Sequence, residues 1–385
     1  MLSIRRNDNV AMATPLAGHK KGIIRCGGDS ILVTKSAELI EPAEGEWELI
    51  RGILENLFQR GQHSEQIEVI YGWLKLSYEA VRTGQFRPGQ ALAIAGEPGC
   101  GKNLFQDRII TPLLGGRSAK PYRYMTGGSE FNADLFAAEH LVIQDETAGK
   151  DFRSRRAFGA KIKDLVVNQT QSLHAKGKDA LVLKPIWRVS ISLNDEPEDL
   201  EVLPPFEEGI GDKLILVRAI KHPWPVPNES REEQRQFNER IQKELPALCH
   251  YLMNYRIPEQ LECSRYGVLS FHNSALSGEL GVLNPEMEML ELLDSILFDN
   301  VVSPTTSEVS VWTGKVTELK STIITSDCSK EMYDPFLRNQ RCMGILLGKL
   351  AKSHPERVKT KRTSKERVWE ISNPNHPFLV YKSQR

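Results

Sequence analysis

The stretch "GEPGCGKN" at residues 96–103 combines three glycines with a lysine. Gly96-x-x-x-x-Gly101-Lys102 follows the apolar run "ALAIA" and opens the helical stretch "NLFQDRIITPLL". A strand-to-helix loop of that spacing can turn its backbone N–H groups around a phosphate, and the helix N-terminus adds positive potential. The candidate nucleotide contacts are therefore Gly96, Glu97, Pro98, Gly99, Cys100, Gly101, Lys102 and Asn103, with Lys102 offering a mobile charge to the β- and γ-phosphates. Asn103 stands where Ser or Thr is usual. Its side-chain oxygen can approach a metal ion or a metal-bound water, as a weaker hard-ion ligand than a hydroxyl. A glycine-rich turn with an incidental lysine is the plain alternative.

Two further segments weigh against that alternative. "HLVIQDE", about 45 residues downstream, reads as a strand ending in Asp145 and Glu146. At such a strand end one carboxylate can hold a Mg²⁺ shell and the next can deprotonate a water. "WRVSISLNDEP" reads as a continuous apolar strand whose tip, Asn194, can hold a water near a γ-phosphate. The expected catalytic set is Lys102, Glu146 and Asn194, the expected metal set Asn103 and Asp145, and the implied cofactors ATP and Mg²⁺.

These residues need a scaffold that brings strand ends together. From residue 87 apolar strand runs alternate with helical stretches: "ALAIA", "PYRYMT", "HLVIQDE" and "WRVSISLN" as strands, "RRAFGAKIKDLVVNQ" as a helix. That alternation predicts an α/β fold with a parallel sheet and helices on both faces. Ahead of it, "GIIRC" and "SILVT" flank a turn and predict a hairpin. Two helices follow, one from Glu46 and one from Ser64, with apolar residues at helical spacing. "HPWPVP", with prolines at 223, 225 and 227, marks a boundary near residue 222. Residues 230–255 read as helical. The expected domains are 1–86, an N-terminal hairpin and helical collar; 87–222, the ATPase core; 223–284, a helical lid region; and 285–385, a basic module.

In order and spacing, "GEPGCGKNLF", "FNADLFAAEHLVIQDE", "HAKGKDALVLKP" and "RVSISLNDEP" resemble the helicase half of phage- and plasmid-type primase-helicases, a superfamily 3 branch of the AAA+ ATPases. The resemblance covers about residues 30–220, and loops ending in GKN occur in that branch. It implies a homo-oligomeric ring, a hexamer, that moves along single-stranded or forked DNA. It also implies that "HAKGKDALVLKP" is a pore hairpin whose Lys176, Lys178 and Lys184 grip the strand. Read from the residues alone, those lysines surround a turn-forming Gly177 and would track phosphates without reading sequence. A solvated hairpin is the alternative. The resemblance further implies a cation supplied by the neighbouring subunit. Lys213 and Arg218 in "GIGDKLILVRA" are the candidates, and Arg153, Arg155 and Arg156 compete for the role. Any primase would be a separate partner.

The chain carries no formal net charge, so phosphate affinity must be local. Residues 349–367 supply such a patch, with eight basic and two acidic side chains. Three predicted helices followed by "RVKTKRTSKERVWEIS" suggest a winged-helix-like module with Lys361, Arg362 and Lys365 near the tip of its wing. The six cysteines lack metal-ligand spacing and read as free thiols of a reducing compartment. No secretory leader is evident and no apolar run approaches the roughly 20 residues that cross a bilayer, so a cytoplasmic protein without membrane attachment is expected. The leading reading is an ATP-driven DNA helicase or translocase serving a phage, plasmid or other mobile element. A AAA+ loader or remodeller acting on a protein stays open. The hairpin favours nucleic acid, because no aromatic residue lies between His174 and Lys184.

Overall fold

The computed structural model describes residues 9–26, 28–58, 65–144, 152–177, 179–204, 209–276, 285–298, 311–325, 340–362 and 367–372. Its contacts divide the chain into two units, Met1–Leu280 and Gly281–Arg385.

The centre of the first unit is a parallel sheet. Its strands are β4 (Ala91–Gly96), β5 (Ser118–Ala119), β6 (His140–Gln144), β9 (Arg188–Leu193) and β10 (Leu214–Ala219), in the order β10-β4-β9-β6-β5. All four pairings are parallel. β4 and β9 are buried along their whole length, as expected for strands covered by helices on both faces. The far edge of β10 is covered by residues 271–273, where Leu216 N–H donates to Phe271 and Asn273 N–H donates to Leu216. A five-stranded parallel sheet flanked by helices is consistent with a P-loop-type α/β fold.

The N-terminal part adds a strand to the expected hairpin. β2 (Gly22–Cys26) pairs antiparallel with β3 (Asp29–Val33), and β1 (Met12–Thr14) lies parallel on the other side of β3. Two helices follow, Glu48–Phe58 and Glu65–Thr83, each burying the apolar face that its spacing predicted. The long helix Arg231–Asn254 packs on both. It starts with a complete capping box: Glu233 N–H donates to Ser230 Oγ, and Glu233 Oε2 accepts from Ser230 N–H.

"PYRYMT" departs from expectation. Tyr122–Met125 is a short helix, and the strand is Ser118–Ala119, which ends before Lys120 and Pro121. Pro121 cannot donate to a strand ladder but suits a helix start, and Tyr122 then packs edge-on against Phe158 at 5.5 Å. A second departure lies in the helix after the glycine loop. Phe105–Ile110 winds as a π-helix between short α segments. Pro112 removes one donor and crowds the carbonyl four residues back, which the wider turn accommodates.

The second unit contains helices Pro285–Phe298, Val316–Thr325 and Gln340–Ser353. Its sheet has the order β11 (Val311–Gly314), β13 (Arg367–Ser372), β12 (Val358–Arg362), antiparallel throughout. Leu293, Leu319, Leu347, Leu350 and Trp369 form its core. Arg357 ties sheet to helix, donating to Asp294 Oδ1 at 2.5 Å and to the Ser372 carbonyl at 3.0 Å. No helix among the described residues is long and apolar enough to cross a membrane.

One buried ion pair locks the N-terminal segment to the main sheet. Glu139 is fully buried and accepts from Arg117 Nε at 2.9 Å, from Arg117 Nη2, and from Gly18 N–H at 2.8 Å. Removing one partner of such a pair strands the other charge away from water. Glu139→Ala should cost about 3–5 kcal/mol of unfolding free energy by chemical denaturation. A loss below about 1 kcal/mol would show that Arg117 is readily resolvated.

Candidate functional site

Parallel strands of this kind present their carboxyl ends on one side of the sheet, and loops there make crevices. Here β4 ends at Gly96, β6 at Gln144 and β9 at Leu193, so the glycine loop and Asn194 emerge side by side. Strand alternation then decides which side chains of β9 meet the helix after the loop. Ser190, Ser192 and Asn194 share one face, and each takes a partner from that helix. Gln106 Nε2 donates to Ser190 Oγ at 2.8 Å. Ser192 Oγ donates to Asn103 Oδ1 at 2.8 Å. Lys102 Nζ lies 3.5 Å from Asn194 Oδ1. These three rungs fasten the loop helix to the sheet.

Lys102 is 6% exposed. Its ammonium donates to the carbonyls of Gly96 at 2.5 Å and Glu97 at 2.9 Å, curling the loop around it. Asn194 is oriented from its other end, since its Nδ2 donates to Asp199 Oδ2 at 2.8 Å. Below the lysine the ladder extends inward. Ser190 Oγ lies 2.7 Å from His140 Nε2, and His140 Nδ1 lies 2.7 Å from Thr111 Oγ1. Burial pushes the His140 pKa down to about 3, so the ring bridges these hydroxyls as a neutral imidazole.

The loop's glycines answer to different constraints. Gly99 and Gly101 have φ of 76° and 114°, in the left-handed region that other residues rarely adopt. Alternating backbone of that kind turns N–H groups toward a common centre and suits an anion. At Gly96 a Cβ would stand 2.2 Å from the Ala219 carbonyl oxygen, so close pairing of β4 with β10 demands glycine. At Gly101 a Cβ would stand 2.7 Å from the Trp224 ring. Trp224 comes from "HPWPVP", so the proline run read as a boundary also carries an indole onto the loop. Sequence reading missed that contact.

Asn103 carries an amide oxygen, a hard neutral donor of the type that Mg²⁺ or its water shell accepts. Ser192 Oγ donates to that oxygen. The donor chemistry fits the ion. Asp145 and Glu146 lie outside the described residues; β6 runs to Gln144 immediately before them, and Gln144 Nε2 donates to Asp107 Oδ1 at 2.9 Å.

The basic hairpin is formed by β7 (Gln171–Leu173) and β8 (Leu181–Leu183). Asn132, a residue without an assigned role in the sequence reading, clamps its base. Asn132 Nδ2 donates to Ser172 O at 3.0 Å, and His174 N–H donates to Asn132 Oδ1 at 2.7 Å. Gly177, with φ of 73°, turns the tip in open space. Lys176 and Lys184 are exposed, and Lys178 lies outside the described residues. The Lys184 carbonyl lies 2.8 Å from His19 Nε2, which joins the hairpin to the N-terminal segment.

The remaining cations are spread apart. Arg218 sits at the same end of the sheet as the loop and pairs with Asp195 at 2.8 Å. Lys213 precedes β10 at the opposite end, roughly 17 Å away at the usual strand rise, and pairs with Asp212 at 2.6 Å. Lys213 therefore cannot reach the loop of its own chain. The side chains of Arg153, Arg155 and Arg156 lie outside the description, as does Lys365. Lys361 and Arg362 are exposed on β12, with Lys361 paired to Glu370 across the hairpin at 2.6 Å. Cys26, Cys100, Cys249 and Cys263 are free thiols.

A family of unknown function, DUF5906, matches residues 94–205, from the end of β4 to beyond Asn194. The fold is shared with the C-terminal region of NrS-1. One apo structure of that region gives a TM-score of 0.55 at 13% identity, covering 93% of this chain and 84% of the other. A second apo form gives 0.53 at 12% identity over the same shares. At such identity the likeness concerns the fold alone. JCV helicase gives a TM-score of 0.27 at 11% identity, covering 64% of this chain and 67% of its own, too loose a likeness to carry an argument. No curated protein matches the chain.

Gly101→Ala should lose about 1–3 kcal/mol from the left-handed backbone alone, with the Trp224 overlap added. Adding Trp224→Ala should recover the overlap, giving a coupling of about 0.5–3 kcal/mol in a denaturation double-mutant cycle. Strictly additive losses would mean that the indole moves aside.

Proposed function

We propose that this chain is a nucleoside-triphosphatase of superfamily 3 helicase type, which hydrolyses ATP to move along DNA. The observation that carries the reading is the meeting of Lys102 with Asn194 at the carboxyl ends of two adjacent parallel strands. Residues 92 apart in sequence converge where a triphosphate laid along the loop would end. The motif resemblance over residues 30–220 supports the same assignment.

In this reading the backbone N–H groups of the loop from Gly99 to Asn103 and the Lys102 ammonium bind the phosphates and stabilise charge that develops on the leaving group. Asn103 and Asp145 would hold a Mg²⁺ ion, which would supply positive charge to the phosphates. Glu146 takes the proton of the attacking water, and Asn194, fixed by Asp199, orients that water. Lys176, Lys178 and Lys184 contact the strand through its phosphates, so affinity would fall with salt and show little sequence preference. Lys361, Arg362 and Lys365 would contact duplex or forked DNA from a winged-helix-like module. The site is completed by a neighbouring copy in a hexameric ring, with Lys213 and Arg218 the trans-acting candidates; each is paired with an aspartate of its own chain, which it would have to leave. A primase would act as a separate protein.

ATP turnover by the purified chain should rise with single-stranded DNA, and Lys102→Ala should remove at least about a hundredfold of it. Turnover indifferent to DNA would favour a loader or remodeller of protein instead, and normal turnover in the variant would place the site elsewhere. Neutralising Lys176 and Lys178 together should weaken single-strand binding while leaving basal hydrolysis intact. Unchanged DNA affinity would return the hairpin to a solvated surface role.

A further inference from the structure

A triphosphate held by the loop has a direction, and strand order fixes it. The loop leaves β4, which lies between β9 and β10. Lys102 reaches toward β9, where Asn194 stands at the strand tip, so the γ end of the phosphates belongs on that side. The nucleoside then lies away from β9. The next segment in that direction is the one that follows β10, residues 220–227.

That segment holds one side chain still. Ile220 N–H donates to the Leu57 carbonyl at 3.0 Å, and Pro225 packs over Gly52, where a Cβ would stand 3.4 Å from the proline Cγ. Pro223 and Pro225 flank Trp224 and each has its φ fixed by its ring. The indole meets Gly101 so closely that no Cβ fits between them. Trp224 is nevertheless only half-buried. Its aromatic neighbours, His222 at 5.6 Å and Phe237 at 5.7 Å, lie at 67° and 78° to its plane. Both make edge contacts, and neither takes the parallel-stacked position on the indole. A large aromatic ring pinned in place and left partly open beside a phosphate loop leaves apolar area in water, which a bound planar ring would cover. Every nucleobase offers such a ring.

We propose that Trp224 is the nucleoside contact of this site, its indole stacking on the base of the nucleotide whose phosphates the loop holds. The proposal rests on the reading of the loop as a nucleotide site. It accounts for the part of the ligand that the loop, Lys102 and Asn194 leave unrecognised, and it gives the proline run a function beyond marking a boundary.

The test uses the full-length chain and calorimetric titration with two ligands: ATP, and inorganic tripolyphosphate, which keeps the phosphates and lacks the nucleoside. Trp224→Ala should weaken ATP binding about tenfold, the usual cost of removing one aromatic side chain that stacks on a base. It should leave tripolyphosphate binding as in the wild type. Trp224→Phe keeps a stacking face and should retain most of the ATP affinity. Tryptophan fluorescence adds a readout that survives if the alanine variant fails to fold. ATP should quench the wild-type signal, tripolyphosphate should not, and the ATP response should vanish in Trp224→Phe. Unchanged ATP affinity in Trp224→Ala would overturn the proposal. So would an equal loss of both ligands, which would make Trp224 a prop for the loop backbone at Gly101. Quenching that persists in Trp224→Phe would place the base against another tryptophan and overturn it as well. In each of these outcomes the nucleotide site itself stands. Failure of the wild-type chain to bind either ligand would remove the nucleotide reading, and this proposal with it.

Discussion

The ladder between β9 and the helix after the glycine loop holds the site together. Ser190, Ser192 and Asn194 meet Gln106, Asn103 and Lys102 in register, although strand and helix are far apart in the chain. A buried polar network is worth having only when its members are satisfied, because an unpaired group costs more than a bonded one gains. Here that penalty sets geometry: any slide of the helix along the strand would break several buried bonds at once. The lysine is therefore held at a definite height above the sheet, within reach of both the loop carbonyls and Asn194.

Close backbone approach supplies the second constraint. Gly96 lets β10 lie against β4 where a side chain would strike the Ala219 carbonyl, and Gly101 lets Trp224 rest on the loop. The N-terminal segment is fastened in a similar way. Gly18 passes so near Ile186 that a Cβ would fall 2.4 Å from the Ile186 Cβ, while its N–H reaches Glu139. The segment ahead of the sheet is thus bonded both to Glu139, the residue just before β6, and to the Lys184 carbonyl after β8, which lies beside His19.

Charge is distributed to match. A chain with no net charge gathers lysines at an open hairpin tip and on one antiparallel sheet of its second unit. Acidic partners neutralise Arg117, Arg218 and Lys213 near the main sheet, while Lys176 and Lys184 remain exposed. Surface pairs such as Lys361 with Glu370 contribute little and exchange readily in water, so that lysine stays accessible to a phosphate.

The order of strands and helices around the loop was legible in the sequence, because each run is local. Apolar runs of five or six residues between turn formers make buried strands, and helical spacing marked the helices that pack against them. Local chemistry also marked the glycine loop, Lys102 and Asn194. It misled at "PYRYMT", where a proline outweighed aromatic β-propensity, and at "WRVSISLN", read as uniformly apolar although its serines alternate and face the loop helix. Periodicity of two was the available signal. Which helix those serines would meet was not available, since hydrogen-bond partners 84 and 89 residues away are chosen by strand order and packing. The same holds for Trp224 against Gly101 and Asn132 beneath the hairpin. Sequence determined the elements and the residues with chemical capacity, through short-range sterics and periodicity. Tertiary structure alone decided that a serine of β9 stands beside the asparagine of the loop, because only the folded sheet brings those two polar groups out of water together.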